Sequence, residues 1–134
     1  MRVVFLDTVG LLALWDESDQ WHESASYAYE LLTRSPARLL TSSFVLLECG
    51  NAAARRPYRK DVVDLWRALT QSGDLIQPTA QQIDSAWVSY SANPVGSAGI
   101  VDLVSFAIMR DFGIHEAFTN DAHFRAAGFQ PLMI

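Results

Sequence analysis

The chain has 134 residues, half of them apolar and only 19% charged. That suits one hydrophobic core and excludes a solvated tail or a disordered linker. The net charge of −5 excludes a broadly basic surface of the kind that holds nucleic acid by charge alone.

Val3–Leu6 is a short apolar run rich in β-formers, which predicts a buried strand ended by Asp7-Thr8. Val9–Trp15 reads as a short helix, and Asp16-Glu17-Ser18-Asp19 as a turn. Gln20–Thr33 carries Trp21, Tyr27, Ala28, Leu31 and Leu32 at helical spacing, and Ser35-Pro36 stops it. A second strand is predicted over Arg38–Thr41. Ser42-Ser43 then cap a helix over Phe44–Arg55. After Pro57, Asp61–Gln71 is helical with Val62, Leu65, Trp66 and Leu69 facing inward. Leu75–Gln77 is a third strand, and Pro78-Thr79 opens a helix through about Tyr90. Asn93–Gly99 is a loop of small residues. Ile100–Phe112 is an apolar helix stopped by Gly113. Ile114–Phe118 is a fourth strand, Asp121–Ala127 a short helix and Pro131–Ile134 a last strand.

Short strands alternating with helices predict an α/β fold, a three-layer sandwich with a central, mostly parallel sheet flanked by helices. Neither a repeat nor a linker interrupts it, so residues 1–134 read as a single domain. No apolar run approaches the ~20 residues of a membrane span. Asp7 falls where a signal peptide needs apolar residues. Cys49 is the only cysteine, too few for an internal disulfide or a cysteine zinc site. Both features predict an unprocessed, cytoplasmic protein. Cys49 itself reads as a small buried apolar residue.

Four carboxylates stand out. Ligand sites of parallel sheets form beyond the carboxyl ends of the strands. Asp7 ends the first strand, Asp121 follows the fourth, and Asp102 begins a helix after a glycine-containing loop. Helix capping accounts for any one of these aspartates alone. Glu48 resists that account, because it sits in the apolar stretch between Leu47 and Cys49. Such a helix reads as buried, where an ionised carboxylate must be paired or bound to a metal. The alternative is a buried ion pair with Arg55 or Arg56. Taken together, the four oxygen-donor side chains point to a hard divalent cation, Mg²⁺ or Mn²⁺. An ion held there reverses the sign of the local field, so phosphate is attracted despite the net charge.

In these residues the chain resembles the PIN-domain family, and within it the bacterial VapC-like toxins. Leu6-Asp7-Thr8 followed by Leu11-Leu12 is similar to the family's opening motif, and Glu48 falls in the expected early helix. Asp102-Leu103-Val104-Ser105-Phe106-Ala107 resembles the third-acid helix. Thr119-Asn120-Asp121-Ala122-His123-Phe124 with Gly128-Phe129 resembles the closing motif. The resemblance covers essentially the whole chain. It implies a Mg²⁺-dependent endoribonuclease, with Mn²⁺ able to substitute, that cuts structured transfer or ribosomal RNA and stops translation. Asp7 and Asp102 would be the main metal ligands, with Asp121 and Glu48 completing the acidic pocket. The implied partners are RNA, a cognate antitoxin protein and a second copy of the chain in a homodimer. The same scaffold also serves RNA processing outside toxin pairs, or binding without catalysis.

Other positions border the predicted site. Thr8 and Thr119 place hydroxyls beside two acids, either as site groups or as turn and cap donors. Ser105 lies one helical turn beyond Asp102, and Asn51 lies three residues after Glu48. His123 is two residues past Asp121, a spacing that does not share a helix face, and reads as structural or surface. Arg55-Arg56-Pro57-Tyr58-Arg59-Lys60 joins four cations to an aromatic suited to stacking on a base, or else is a solvated turn. A receiver or dehalogenase-like phosphatase fits poorly. The only lysine is Lys60, and Val9 stands where the phosphatase pattern needs an acid.

Overall fold

The computed structural model describes residues 1–133. Five strands form one all-parallel sheet in the order β3-β2-β1-β4-β5. The strands are β1 (Arg2–Leu6), β2 (Ala37–Ser42), β3 (Leu75–Ile76), β4 (Glu116–Phe118) and β5 (Gln130–Pro131). The helices are α1 (Thr8–Trp15), α2 (His22–Arg34), α3 (Ser43–Ala53), α4 (Arg59–Ser72), α5 (Ala80–Ala92), α6 (Ile100–Phe112) and α7 (Ala122–Ala126). The sheet pairs as expected of buried strands, with Val4, Phe5 and Leu6 of β1 and Ala117 and Phe118 of β4 wholly inaccessible.

Helix boundaries follow local chemistry. Ser42 accepts from Val45 N and so caps α3. Thr79 and Gln82 form a reciprocal capping box on α5. Gly73 and Gly113 end α4 and α6 in the left-handed conformation. The expected last strand over Pro131–Ile134 begins one residue earlier, at Gln130. Pro131 has no N–H, so Gln130 and Leu132 donate on either side of it, to His115 O and Ala117 O. Ile134 lies outside the described residues.

Chain order across the sheet sets the position of the site. From β1 the chain moves outward through β2 to β3, then returns to the other side of β1 to make β4 and β5. The direction reverses between β1 and β4, and in open parallel sheets a crevice opens at that point beyond the strand ends. Gly10 allows the crevice to be tight. A Cβ at position 10 would lie 2.1 Å from the Phe118 carbonyl oxygen, so only glycine lets α1 run against the end of β4.

Candidate active site

Asp7 forms the floor of the crevice. It is 1% exposed and caps α1, accepting from Val9 N at 3.4 Å. The buried Thr119 hydroxyl, just beyond β4, donates to Asp7 Oδ2 at 2.8 Å. The same hydroxyl oxygen accepts from Asp121 N at 3.1 Å. Thr119 therefore ties the end of β1 to the segment after β4. Burial raises the Asp7 pKa to about 7, helped by the charge of Asp102 and opposed by the Thr119, Thr8 and Val9 donors.

Asp102 lies in the first turn of α6, whose N-cap is Gly99, so the expected capping role does not fall to it. Burial, then the charges of Asp121 and Glu48, push its pKa to about 6, against His123 and Gly99. Its charge interacts with those of Asp7, Asp121 and Glu48. Asp121 caps α7, accepting from His123 N at 2.9 Å. Ligand atoms of Asp102, Asp121 and His123 lie within 4.8 Å of one another.

Glu48 departs from the sequence reading. Its side chain is exposed, so no buried-charge argument applies to it. α3 is apolar around most of its girth, yet Leu47 beside Glu48 is 67% exposed and the strip holding both faces outward. Among the described residues no arginine pairs with Glu48, and Arg56 bonds Asp16 instead. The Glu48 carboxylate reaches across to α1, where Thr8 Oγ1 donates to it at 2.7 Å. That contact brings it to the rim of the same crevice.

His123 is placed closer to the acids than its spacing suggests. Because Asp121 is the cap and not a helical residue, its carboxylate folds over the first turn of α7. It meets both the backbone N–H and ring Nδ1 of His123, the latter at 2.9 Å. Ring Nε2 faces the Gly96 carbonyl oxygen at 3.1 Å. Two acceptors on one ring are both satisfied only when both nitrogens carry protons. The Gly96 carbonyl first and Asp121 second accordingly raise the His123 pKa. A nitrogen holding a proton offers no lone pair to a cation, so in this arrangement the carboxylates are the donors. A cap followed two residues later by histidine is the sequence signal for this contact.

The remaining border residues divide. Ser105 is wholly buried, and among the described residues its Oγ has no hydrogen-bond partner, neither Asp102 nor the helix backbone. Cys49 is buried beside the site, its thiol pushed up to about 12 by burial and by the Asp7 and Glu48 charges, so it stays neutral. Tyr58 is 8% exposed, which removes the base-stacking reading of residues 55–60. Arg56 lies against its ring and Arg59 bonds the Ala54 carbonyl.

The donor chemistry fits a hard cation. Asp102 and Asp121 lie close together, and in Asp7 and Asp102 burial and the charges of neighbouring acids make full ionisation costly without a counter-charge. Residues 4–130 match the PIN domain. This chain belongs to the PIN-domain family. Among PIN-domain relatives, the 23S rRNA-specific endonuclease VapC20 of two Mycobacterium tuberculosis strains is 31% identical over 128 residues, covering 95% of both chains. The crystal structure of M. tuberculosis VapC20, described as a sarcin–ricin loop cleaving toxin, aligns with a TM-score of 0.81 at 29% identity. It covers 98% of this chain and 99% of that one.

Proposed function

We propose that this chain is a Mg²⁺-dependent endoribonuclease, the toxin of a toxin–antitoxin pair, which cuts ribosomal RNA at a structured loop and so stops translation. One domain over 1–134 carries the activity in the cytoplasm, and among the described residues no helix is long and apolar enough to cross a membrane. The observation that carries the reading is the close approach of Asp102 and Asp121 at the β1/β4 crevice, with the buried Asp7 near enough to feel the Asp102 charge and Glu48 on the rim. The likeness to VapC20 along nearly the whole chain supports ribosomal RNA as the substrate class.

In this reading Asp7 and Asp102 are the main ligands of the ion, and Asp121 and Glu48 complete the pocket. Mn²⁺ substitutes for Mg²⁺ at such an oxygen-rich set. Bound there, the ion supplies Lewis acidity that makes water a nucleophile at neutral pH and stabilises the leaving oxygen. The protein's own groups do the positioning. Thr119 fixes the Asp7 carboxylate and, through Asp121 N, the opposite wall. Thr8 holds Glu48 at the rim, where its free oxygen can orient an attacking water. His123 holds Asp121 in place from the far side. The partners in this reading are the RNA, a cognate antitoxin that blocks the cleft, and a second copy in a homodimer.

RNA end-mapping tests it. Purified protein with Mg²⁺ and ribosomal RNA should create new ends at a few defined sites, absent with a chelator and absent with Asp102→Asn. Uncut RNA from protein that also fails to bind Mn²⁺ would remove the catalytic reading and leave a binding module.

A further inference from the structure

The cleft continues past the acids. On the α7 side, His123 borders a groove of about 350 Å³ between α5, α6 and α7. Ser89, Asn93 and Ser97 line one wall and Arg110 of α6 lines another, with Phe106 among the apolar residues between them. The groove shares Asn93 and Ser97 with a second hollow of about 230 Å³, to which Tyr90 belongs.

Four of the nine arginines are neutralised in ion pairs. Arg2, Arg34, Arg38 and Arg56 are each paired with a carboxylate. Arg110 is not in an ion pair among the described residues. Its guanidinium lies 5.5 Å from the centre of the Phe129 ring and donates to Ala127 O at 3.4 Å. These contacts orient the planar fork and leave its charge uncompensated. Tyr90 is 50% exposed and meets the Trp87 ring edge-on at 5.6 Å, so its ring is braced yet open to solvent. Arg110 is eight residues after Asp102 on α6, about 12 Å of helix rise. A short single-stranded run of nucleotides spans that distance.

An unpaired cation in the groove and an open aromatic in the hollow that adjoins it suit a single strand, the guanidinium on a phosphate and the ring under a base. With a net charge of −5 the protein has no general attraction for RNA, so contacts of this local kind must hold the strand. We propose that this groove and the hollow adjoining it bind the single-stranded RNA next to the scissile phosphate, with Arg110 on a phosphate and Tyr90 stacked on a base. The proposal rests on the endoribonuclease reading above.

The test uses an RNA whose cut site has been mapped with wild-type protein. Arg110→Gln should raise KM about 3- to 10-fold, with kcat within twofold and the salt slope of binding reduced by about 0.7. Arg110→Lys should restore most of that slope. Tyr90→Ala, on an exposed position that leaves the core untouched, should raise KM about 5- to 10-fold. If wild-type protein leaves ribosomal and transfer RNA whole in Mg²⁺, so that no cut site can be mapped, the nuclease reading falls and this proposal with it. Wild-type cleavage with KM unchanged in Arg110→Gln and Tyr90→Ala overturns the groove alone. A wild-type dimer that Tyr90→Ala converts to a monomer assigns the aromatic face to a second copy and also overturns it.

Discussion

Asp7 and Glu48 each accept a hydrogen bond from a threonine hydroxyl, at 2.8 and 2.7 Å, and stand on the same crevice. Their surroundings are opposite. Asp7 is closed in by β1, α1 and the end of β4, and its pKa rises to about 7. Glu48 lies on the exposed strip of α3, in water that competes for every contact it makes. The difference teaches that the floor of the cleft stores electrostatic cost, whereas the rim only positions charge. A cation entering such a site is drawn most strongly by the groups that are least stable without it.

The largest effect that would sharpen this contrast is on turnover. Asp102→Asn removes the acid that couples floor and rim, and cleavage should fall by about 10²- to 10³-fold while the circular dichroism spectrum is retained. Equal loss from Glu48→Gln would break the distinction between the two regions.

Gly10→Ala should come next. A methyl group 2.1 Å from the Phe118 carbonyl must push α1 off β4. We expect a loss of about 3 kcal/mol in urea unfolding, and a weakened floor. An unchanged midpoint would show that the approach of α1 to β4 is not what holds Asp7.

The third test is pH. The folded-state pKa of Asp7 is raised from 3.8 to about 7, and that of Asp102 to about 6. Between these values and 3.8 the folded chain binds more protons than the unfolded one. Metal-free protein is therefore most stable below about pH 4 with respect to these two groups, and loses that contribution as pH rises to about 7. Asp7→Asn, which keeps an acceptor for the α1 cap, should melt higher than wild type at pH 8 in chelator, by the equivalent of a few kcal/mol at most. The gap should close near pH 4. Mn²⁺ should raise the wild-type melting temperature at pH 8 and raise that of Asp102→Asn much less. A wild type already as stable as Asp7→Asn at pH 8 would mean that the floor bears no such cost.

The smallest effect belongs to the rim. Glu48→Gln should slow cleavage by about tenfold or less and leave stability within about 0.5 kcal/mol.

The alternation of short apolar strands with helices was enough to anticipate the sheet, since Val4–Leu6 of β1, Leu40 of β2 and Ala117-Phe118 of β4 are buried and fall in short apolar runs. The three aspartates were legible because each follows a strand end or opens a helix. Burial of an individual helix position was not. α3 is apolar in composition, yet Leu47 and Glu48 lie on a strip that nothing covers, and no local pattern says which strip that is. The roles of Gly10, Thr119 and His123 depend on contacts across the chain or around a cap, which spacing alone does not carry.

The bond from Thr119 to Asp7 joins residues 112 positions apart. During synthesis the first acid leaves the ribosome long before its partner hydroxyl has been translated. The cleft cannot close until β4 and the cap of α7 have emerged, so a nascent chain has the first acid without its Thr119 partner and without the opposite wall. The chain thus carries a built-in delay, which keeps the assembled acid set out of existence until the protein is nearly free of the machinery that makes it.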